Sequence, residues 1–385
     1  MKKPTKSSRG ARAGGYAYAV FGAGRQGTAA IHDLALNCEA RSVLVVEPDA
    51  ARAKDASTRL TQLLGKKAGC LEFVRSATAR DLAGRDVVLS CAPYQANLAL
   101  TKLALDAQVD FCDLGGNPET VAAQEKLGAK TDRAIVPDCG VSPGLSNCLA
   151  VHCARVHGAD EVHVRCGGLP VEPPDAARNP LQYKLVFSPW GLISEYSGTV
   201  PVIRGGKVTR VPALGATEVF DADHESSPTS NNSPQVVAYL AGCGVKTYDY
   251  MTVRYNGHWS LVRGWKSLGY LCGDGERDSE LARRLETDPI LRYDPKKDRD
   301  KLILRVTGSS VTDKLRRGFE YRLDVVADTR TRFAAMELTT AWGITIVAHH
   351  MASGRGKPKG FATPERFVDT TWVLSELEKR LAQTQ

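Results

Sequence analysis

A glycine-rich run, Gly22-Ala23-Gly24-Arg25-Gln26-Gly27, stands between a strand-like segment, Tyr16 to Phe21, and a helix-like one, Thr28 to Leu36. That spacing in that context can hold a pyrophosphate. Gly22 makes the tight turn, Gly24 lets backbone approach the phosphates, and Gly27 lets helix and strand pack closely. The helix N-terminus presents unpaired N–H groups to the anion, so Arg25 and Gln26 join the glycines as cofactor-binding candidates. Glu47 ends the next strand-like run, Ser42 to Val46, twenty residues beyond Gly27. A carboxylate there accepts the adenosine ribose hydroxyls and repels a 2′-phosphate, which favours NAD over NADP, with Arg52 the nearby residue of opposite tendency. The competing reading is a glycine turn that binds nothing.

In a doubly wound sheet, ligands lie beyond the carboxyl ends of the strands. Two more segments fall at such ends, Cys91-Ala92-Pro93-Tyr94 and Asp113-Leu114-Gly115-Gly116-Asn117. Cys91, Ala92, Pro93, Leu114 and Gly115 are candidates to line the cofactor, the glycines allowing close backbone approach. Tyr94 and Asp113 are candidates for chemistry and substrate contact beside the nicotinamide. Against this, Asp113 can simply cap the following turn and Tyr94 can be a half-buried aromatic. Cys139 has no neighbour that would lower its pKa, so a nucleophilic role is not expected. His349-His350, read at a strand end, lacks a matching acidic ligand pair, and no metal is expected.

These residues must be positioned by alternating strands and helices. Helix-like Asp49 to Leu64 precedes strand-like Leu71 to Val74; the apolar run Asp86 to Ala92 precedes helical Gln95 to Ala107; strand-like Asp110 to Leu114 precedes helical Glu119 to Arg133, then Ala134 to Pro137. The pattern predicts an α/β fold with a Rossmann-type doubly wound parallel sheet of about six strands over residues 16–145. Leu145 to Val156 reads as the helix that leaves this domain. Beyond it, the alternating segments Glu161 to Cys166, Tyr183 to Phe187, Val200 to Ile203, Tyr248 to Tyr255, Lys301 to Thr307, Tyr321 to Ala327 and Phe333 to Thr340 predict strands. They make residues 146–350 an α+β domain with a mixed sheet. Leu169 to Pro180 and Ser226 to Pro234 read as long loops. A helix led by Thr363-Pro364 closes the chain within 351–385 and is expected to pack back on the first domain.

Composition limits the function classes. The 385 residues suit two domains, and the net charge of +8 is concentrated in Lys2, Lys3, Lys6, Arg9 and Arg12, within a basic arm, 1–15, read as disordered. The remaining +3 gives no reason to expect a nucleic-acid partner. No apolar run suits a signal peptide or a membrane span, so a cytoplasmic, soluble protein without a membrane partner is expected. Ten scattered cysteines without a Cys-x-x-Cys read as reduced thiols in apolar segments.

At this level the chain resembles the saccharopine dehydrogenase-like oxidoreductases, most closely their NAD-dependent lysine 6-dehydrogenase members. The likeness is carried by Val20 to Gly24, Asp113 to Gly116, Pro137-Asp138-Cys139-Gly140-Val141-Ser142-Pro143-Gly144-Leu145-Ser146-Asn147, Gly167 to Pro170, Asn179 to Lys184 with Phe187-Ser188, and Thr252 to His258. Two places depart from the family pattern: Glu225-Ser226-Ser227 stands where Glu-Ala-Phe is usual, and Asn256 replaces a proline. The resemblance implies oxidation of an amine carbon of an amino acid, the ε-amine of L-lysine first and a saccharopine-type secondary amine second, with NAD as acceptor and a homodimer as the working form. A protein that binds the dinucleotide without turnover is the rival from another class. The resemblance also implies roles: Asp113 and Lys184 for proton transfer, with Tyr94, and Tyr94, Asp113, Tyr183, Lys184, Glu225, Thr229 and Arg254 around the substrate. Arg254 suits the α-carboxylate, Glu225 the α-ammonium; His258 ranks below Lys184.

Overall fold

The computed structural model describes residues 14–115, 117–272, 275–310 and 318–384. Gly116 and residues 1–13 of the arm read as disordered lie outside the described residues. Its contacts divide the chain into one unit formed by residues 1–144 and 340–380 and a second formed by 145–339 and 381–385.

The first unit alternates strand and helix: β1 (Tyr16–Phe21), α1 (Arg25–Asn37), β2 (Ala40–Val46), α2 (Ala50–Leu64), β3 (Leu71–Val74), α3 (Ala79–Leu82), β4 (Val87–Ser90), α4 (Asn97–Asp106), β5 (Asp110–Asp113), α5 (Pro118–Gly128) and β6 (Ile135–Val136). The strands form one parallel sheet in the order β3-β2-β1-β4-β5-β6. That order is the doubly wound dinucleotide arrangement, with its switch point between β1 and β4. Every residue of β1 and β4 is buried, as strands covered on both faces require. Local caps start the helices: Asp49 accepts the N–H groups of Ala51 and Arg52 at α2, and Asn117 accepts that of Thr120 at α5, with Pro118 in the first helical position. Helix α5 stops at Gly128, short of the expected Arg133, and the chain turns into β6.

The second unit runs α6 (Leu145–Val156), β7 (Glu161–Pro170), α7 (Pro189–Tyr196), β8 (Thr199–Arg204), β9 (Lys207–Pro212), β10 (Glu218–Val219), β11 (His224–Pro228), α8 (Pro234–Gly242), β12 (Thr247–Tyr255), α9 (His258–Ser267), α10 (Gly275–Thr287), β13 (Asp300–Ser309) and β14 (Gly318–Val326). Its mixed sheet has the path β10-β11-β12-β7-β13-β14, and β8 pairs with both β12 and β9. Among the described strands of this sheet, only β12 and β7 run parallel.

Three expectations are corrected here. Tyr183 to Phe187 is not a strand; only Leu185 bridges, to Arg292. Ser226 to Pro234 is not one loop, because His224–Pro228 pairs with β12. Phe333 to Thr340 is not a strand either. It enters α11 (Ala335–Ala352), so His349 and His350 lie inside a helix. The start of α11 is held from a distance: both oxygens of buried Asp300, on β13, accept the N–H groups of Ala335 and Met336 at 2.7 and 3.0 Å.

The last helix, α12 (Thr370–Thr384), is tied to α1 within the first unit. Arg380, 1% exposed, donates Nε and Nη2 to the Asp33 carboxylate at 3.0 and 2.8 Å and Nη1 to Glu376 at 2.8 Å. Thr345 and Asn37 donate to the same Asp33 carboxylate. Burial opposes the charge on Asp33, and the Arg380 guanidinium outweighs it, holding the carboxyl below its usual range. Among the described residues no cysteine is in a disulfide and no helix is long and apolar enough to cross a membrane.

Breaking one side of a buried, hydrogen-bonded ion pair leaves an uncompensated charge. Arg380→Ala is therefore expected to lower the unfolding free energy by ~3–5 kcal/mol, and Asp33→Leu combined with Arg380→Met to recover much of that loss. Denaturant titration of the three proteins measures both; a loss under ~1 kcal/mol for Arg380→Ala contradicts the account.

Candidate active site

The glycine turn has three different steric roles, each visible in the backbone. Gly22 adopts φ +93°, and a Cβ on it would meet the Cys91 carbonyl at 3.0 Å. Gly27 lies so close to the turn that a Cβ would stand 1.9 Å from the Gly22 carbonyl oxygen. Gly24 is the reverse: nothing lies within 4 Å of the same position, leaving room above it. Gly24 is also the N-cap of α1, with no side-chain cap and no acidic residue in the first turn. Arg25 is exposed and Gln26 part-buried at that N-terminus. An uncapped helix end facing open space beside a glycine fits a pyrophosphate.

Glu47 follows β2 and is buried. Its Oε2 accepts the Ala23 N–H at 2.8 Å, its Oε1 accepts the Asp49 N–H at 3.0 Å, and Arg52, mostly exposed, reaches Oε1 at 3.4 Å. The carboxylate thus braces the glycine turn from the end of β2, the position from which it would meet a ribose.

Across the switch point, Cys91, Ala92 and Tyr94 are part-buried after β4 and Pro93 is exposed; Tyr94 opens a 3-10 turn, Tyr94–Ala96, leading into α4. Asp113, fully buried, ends β5, the strand next to β4. Its Oδ1 accepts the Gly115 N–H at 2.7 Å and its Oδ2 accepts Gln124 Nε2 at 2.6 Å, with Thr101 behind Gln124 at 3.0 Å. The side chain does cap its turn. It also has an unusual charge state: burial outweighs these hydrogen bonds and pushes its carboxyl up to about 6. Leu114 and Gly115 follow, with Gly115 left-handed at φ +75°.

Sequence reading passed over Asp138. It sits directly after β6 in the Pro137 to Asn147 motif, is 6% exposed, and takes φ +60°. The rule that singled out Asp113, the residue at a strand's carboxyl end, would have found it.

In the second unit the candidates divide. Arg254, Tyr183 and Thr229 fall in one buried cluster built around Glu195, a residue without sequence motif, which α7 supplies. Arg254 Nη2 lies 3.6 Å from Glu195 Oε1, and its guanidinium stands 4.7 Å from the Tyr183 ring centre. Thr252 donates to Glu195 at 2.7 Å and lies 2.7 Å from Thr229. Arg254 Nε donates to the Tyr196 hydroxyl, which faces His258 Nε2 at 3.1 Å, while His258 Nδ1 meets the Leu181 carbonyl at 2.9 Å. The carbonyl fixes the proton on Nδ1 and leaves Nε2 as acceptor. Burial, then the Arg254 charge, push His258 down to about 3, so it is a neutral spacer in this chain of bonds. Glu225 is part-buried on β11 as the cross-strand partner of Arg254. Lys184 lies elsewhere: both oxygens of Asp298 hold its Nζ at 2.8 Å, so the cation read as a possible base is engaged in an ion pair.

Residues 18–136 match the family model described as saccharopine dehydrogenase NADP binding domain, and residues 140–382 the saccharopine dehydrogenase C-terminal domain. The chain belongs to the saccharopine dehydrogenase family. It is 26% identical over 218 residues to mitochondrial alpha-aminoadipic semialdehyde synthase of Rattus norvegicus, a match covering 54% of this chain and 23% of that protein. To saccharopine dehydrogenase [NADP(+), L-glutamate-forming] of Saccharomyces cerevisiae it is 27% identical over 173 residues, covering 42% of this chain and 37% of the other. The chain thus spans well under half the length of these relatives. The solved structure of apo saccharopine dehydrogenase (L-Glu forming) from Saccharomyces cerevisiae shares the fold, with TM-score 0.70 and 19% identity over 96% of this chain and 97% of that one.

The glycine geometry separates stability from binding. Gly24→Ala, with φ −70° and open space, is expected to keep the melting temperature while weakening dinucleotide binding. Gly27→Ala forces backbone apart and should lower both. Calorimetry and cofactor titration of the two variants check this, and equal effects on melting would refute it.

Proposed function

We propose that this protein is an NAD-dependent dehydrogenase that oxidises the ε-amine carbon of L-lysine, releasing ammonia and the 6-semialdehyde, which closes on its own α-amine to a cyclic imine. The observation that carries the reading is a buried carboxylate with a raised pKa, Asp113, at the strand end next but one to the glycine turn. Gly22, Gly24, Arg25, Gln26 and Gly27 would hold the pyrophosphate, Glu47 the ribose, and Cys91, Ala92, Pro93, Leu114 and Gly115 the nicotinamide end. When bound, the nicotinamide supplies a hydride acceptor. Glu47 supports NAD, since a second negative charge beside it would be repelled.

Hydride leaves a carbon bearing a neutral amine, whereas a lysine side chain ionises near ~10.4. Asp113, near 6, falls short of that by about four pKa units, or about 6 kcal/mol at 1.36 kcal/mol per unit. Desolvation of the ammonium has to supply the difference and also outweigh the Asp113 charge, which by itself favours the ammonium form. Asp113 then takes an ammonium proton, the C–H electron pair departs as hydride, and an iminium remains. Water adds to the iminium with Asp113 again moving the proton, and ammonia leaves. To Tyr94, at the neighbouring strand end, we assign the orientation of the amine. Within the second unit, Arg254, Tyr183, Thr229 and Glu225 are the residues we propose for amino-acid contacts. Lys184, paired with Asp298, is left out of proton transfer. We further propose a cytoplasmic homodimer with a small amino-acid substrate and no nucleic-acid or membrane partner.

A second reading, saccharopine-type oxidation of a secondary amine with NADP, is favoured by the names of the relatives and by Arg52, whose exposed guanidinium beside Glu47 suits a 2′-phosphate. Supplying NAD or NADP with lysine, other amino acids, diamines and saccharopine at alkaline pH, and following reduced cofactor and ammonia, decides between them. Lysine with NAD should give both signals. Saccharopine alone as substrate would move the function to the second reading, and cofactor binding without any turnover would leave a dinucleotide-binding protein. Asp113→Asn is expected to cost roughly 10²–10⁴-fold in turnover, the range for a lost general base.

A further inference from the structure

Asp138 is a buried ionisable group that the proposed reaction leaves unused, and it lies against the one that reaction depends on. Strands β5 and β6 are neighbours, and beyond their ends the Cys139 N–H donates to the Asp113 carbonyl at 2.9 Å. Gly115, whose N–H is bound by Asp113 Oδ1, packs so tightly on Asp138 that a Cβ at 115 would come 2.1 Å from Asp138 Oδ1. The two carboxyl groups therefore flank a single glycine, whose missing side chain leaves the space that Asp138 fills. The charged groups acting on Asp138 are both acidic: Asp113 from β5, and Glu365 from the 3-10 turn Pro364–Arg366, whose Oε1 accepts the Thr363 hydroxyl at 2.6 Å. The thiols of Cys112 and Cys139 stand beside the pair, and burial raises that of Cys139 well above its ordinary range. Burial first, then the charges of Asp113 and Glu365, push Asp138 up to about 8.

We propose that Asp113 and Asp138 work as one proton-sharing pair, in which Asp138 is the positioning residue that keeps a proton so that a single negative charge stands at the strand end. The proposal rests on the amine-oxidation reading for Asp113's part in turnover, but the pair itself does not. In the proton-transfer step an N–H bond of the substrate ammonium breaks and an O–H bond forms on Asp113. The pair passes from one negative charge to none, and returns when Asp113 releases that proton to water. Like charges so close and so poorly solvated disfavour double ionisation, which makes the pair's two steps macroscopic properties of both groups.

The pair is tested without substrate. Infrared or carbon NMR titration of the aspartate carboxyls should show two buried steps in the wild type, near 6 and near 8. Asp138→Asn should keep the lower step and lose the upper, and Asp113→Asn should leave one step below 8, because the repelling charge is gone. Stability gives an independent readout. Both acids bind protons more tightly folded than unfolded, so their contribution is greatest at low pH and is lost as pH rises through the folded values. The melting temperature of Asp138→Asn relative to wild type should accordingly rise between pH 5 and pH 8.5. Ordinary titration of both carboxyls near 4 in the wild type, or an upper step that survives Asp138→Asn, overturns the pair. Should Asp138→Asn fail to fold, the wild-type titration alone decides. A protein that shows the two steps but oxidises no amine would refute the reaction and leave the pair standing.

Discussion

The contact on which the first unit depends is the approach of Gly27 to the Gly22 carbonyl, where an added Cβ would lie 1.9 Å from the oxygen. Only a helix without a side chain at that point can lie so close to the turn leaving β1. The closeness brings the uncapped end of α1 to the carboxyl edge of the sheet, between β1 and β4, where the strand order reverses. Glu47 then fastens the turn from the other side by taking the Ala23 N–H. The ends of β4 and β5, with Tyr94 and Asp113, follow from the same sheet register.

Two settings of a buried carboxylate contrast in this chain. Asp33 is met by a guanidinium and by hydroxyl and amide donors, which hold its carboxyl below the usual range against burial. Asp113 and Asp138 have no such cation among the groups that act on them. The first kind holds elements together and gains little from moving a proton. The second is held by amide donors and by shape, and its charge remains dependent on a proton. That contrast, more than burial itself, separates structural acids from candidates for chemistry.

The first unit was largely legible because its signals are local. Strands buried on both faces read as continuous apolar runs, and Leu71–Val74 and Leu145–Val156 have the boundaries that the sequence suggests. The second unit was less so, for reasons that can be named. The first N–H groups of α11 are taken by Asp300 from another strand, and its apolar run shows no polar face to reveal a helical period. Helices α7 and α8 did carry a cue, Ser188-Pro189 and Ser233-Pro234, the cap and first-turn pattern already used at Thr363-Pro364. Among the candidates, the burial of Asp113 was legible from its place after a strand, whereas the cluster around Glu195 was not, because its partners Arg254 and Thr252 come from a strand far along the chain. The partner of Lys184 was hidden for the same reason: Asp298 is 114 residues away.

The tie between Asp33 and Arg380 spans 347 residues. On a ribosome adding ~5–20 residues per second, the acid therefore waits roughly 20–70 s for its guanidinium. During that time α1 exists, the parallel strands can pair, and the second unit is being made, but a carboxylate meant for a dry interior has only water to meet its charge. The ion pair that meets the Asp33 charge can therefore close only after the residues of the second unit, 145–339, have been made.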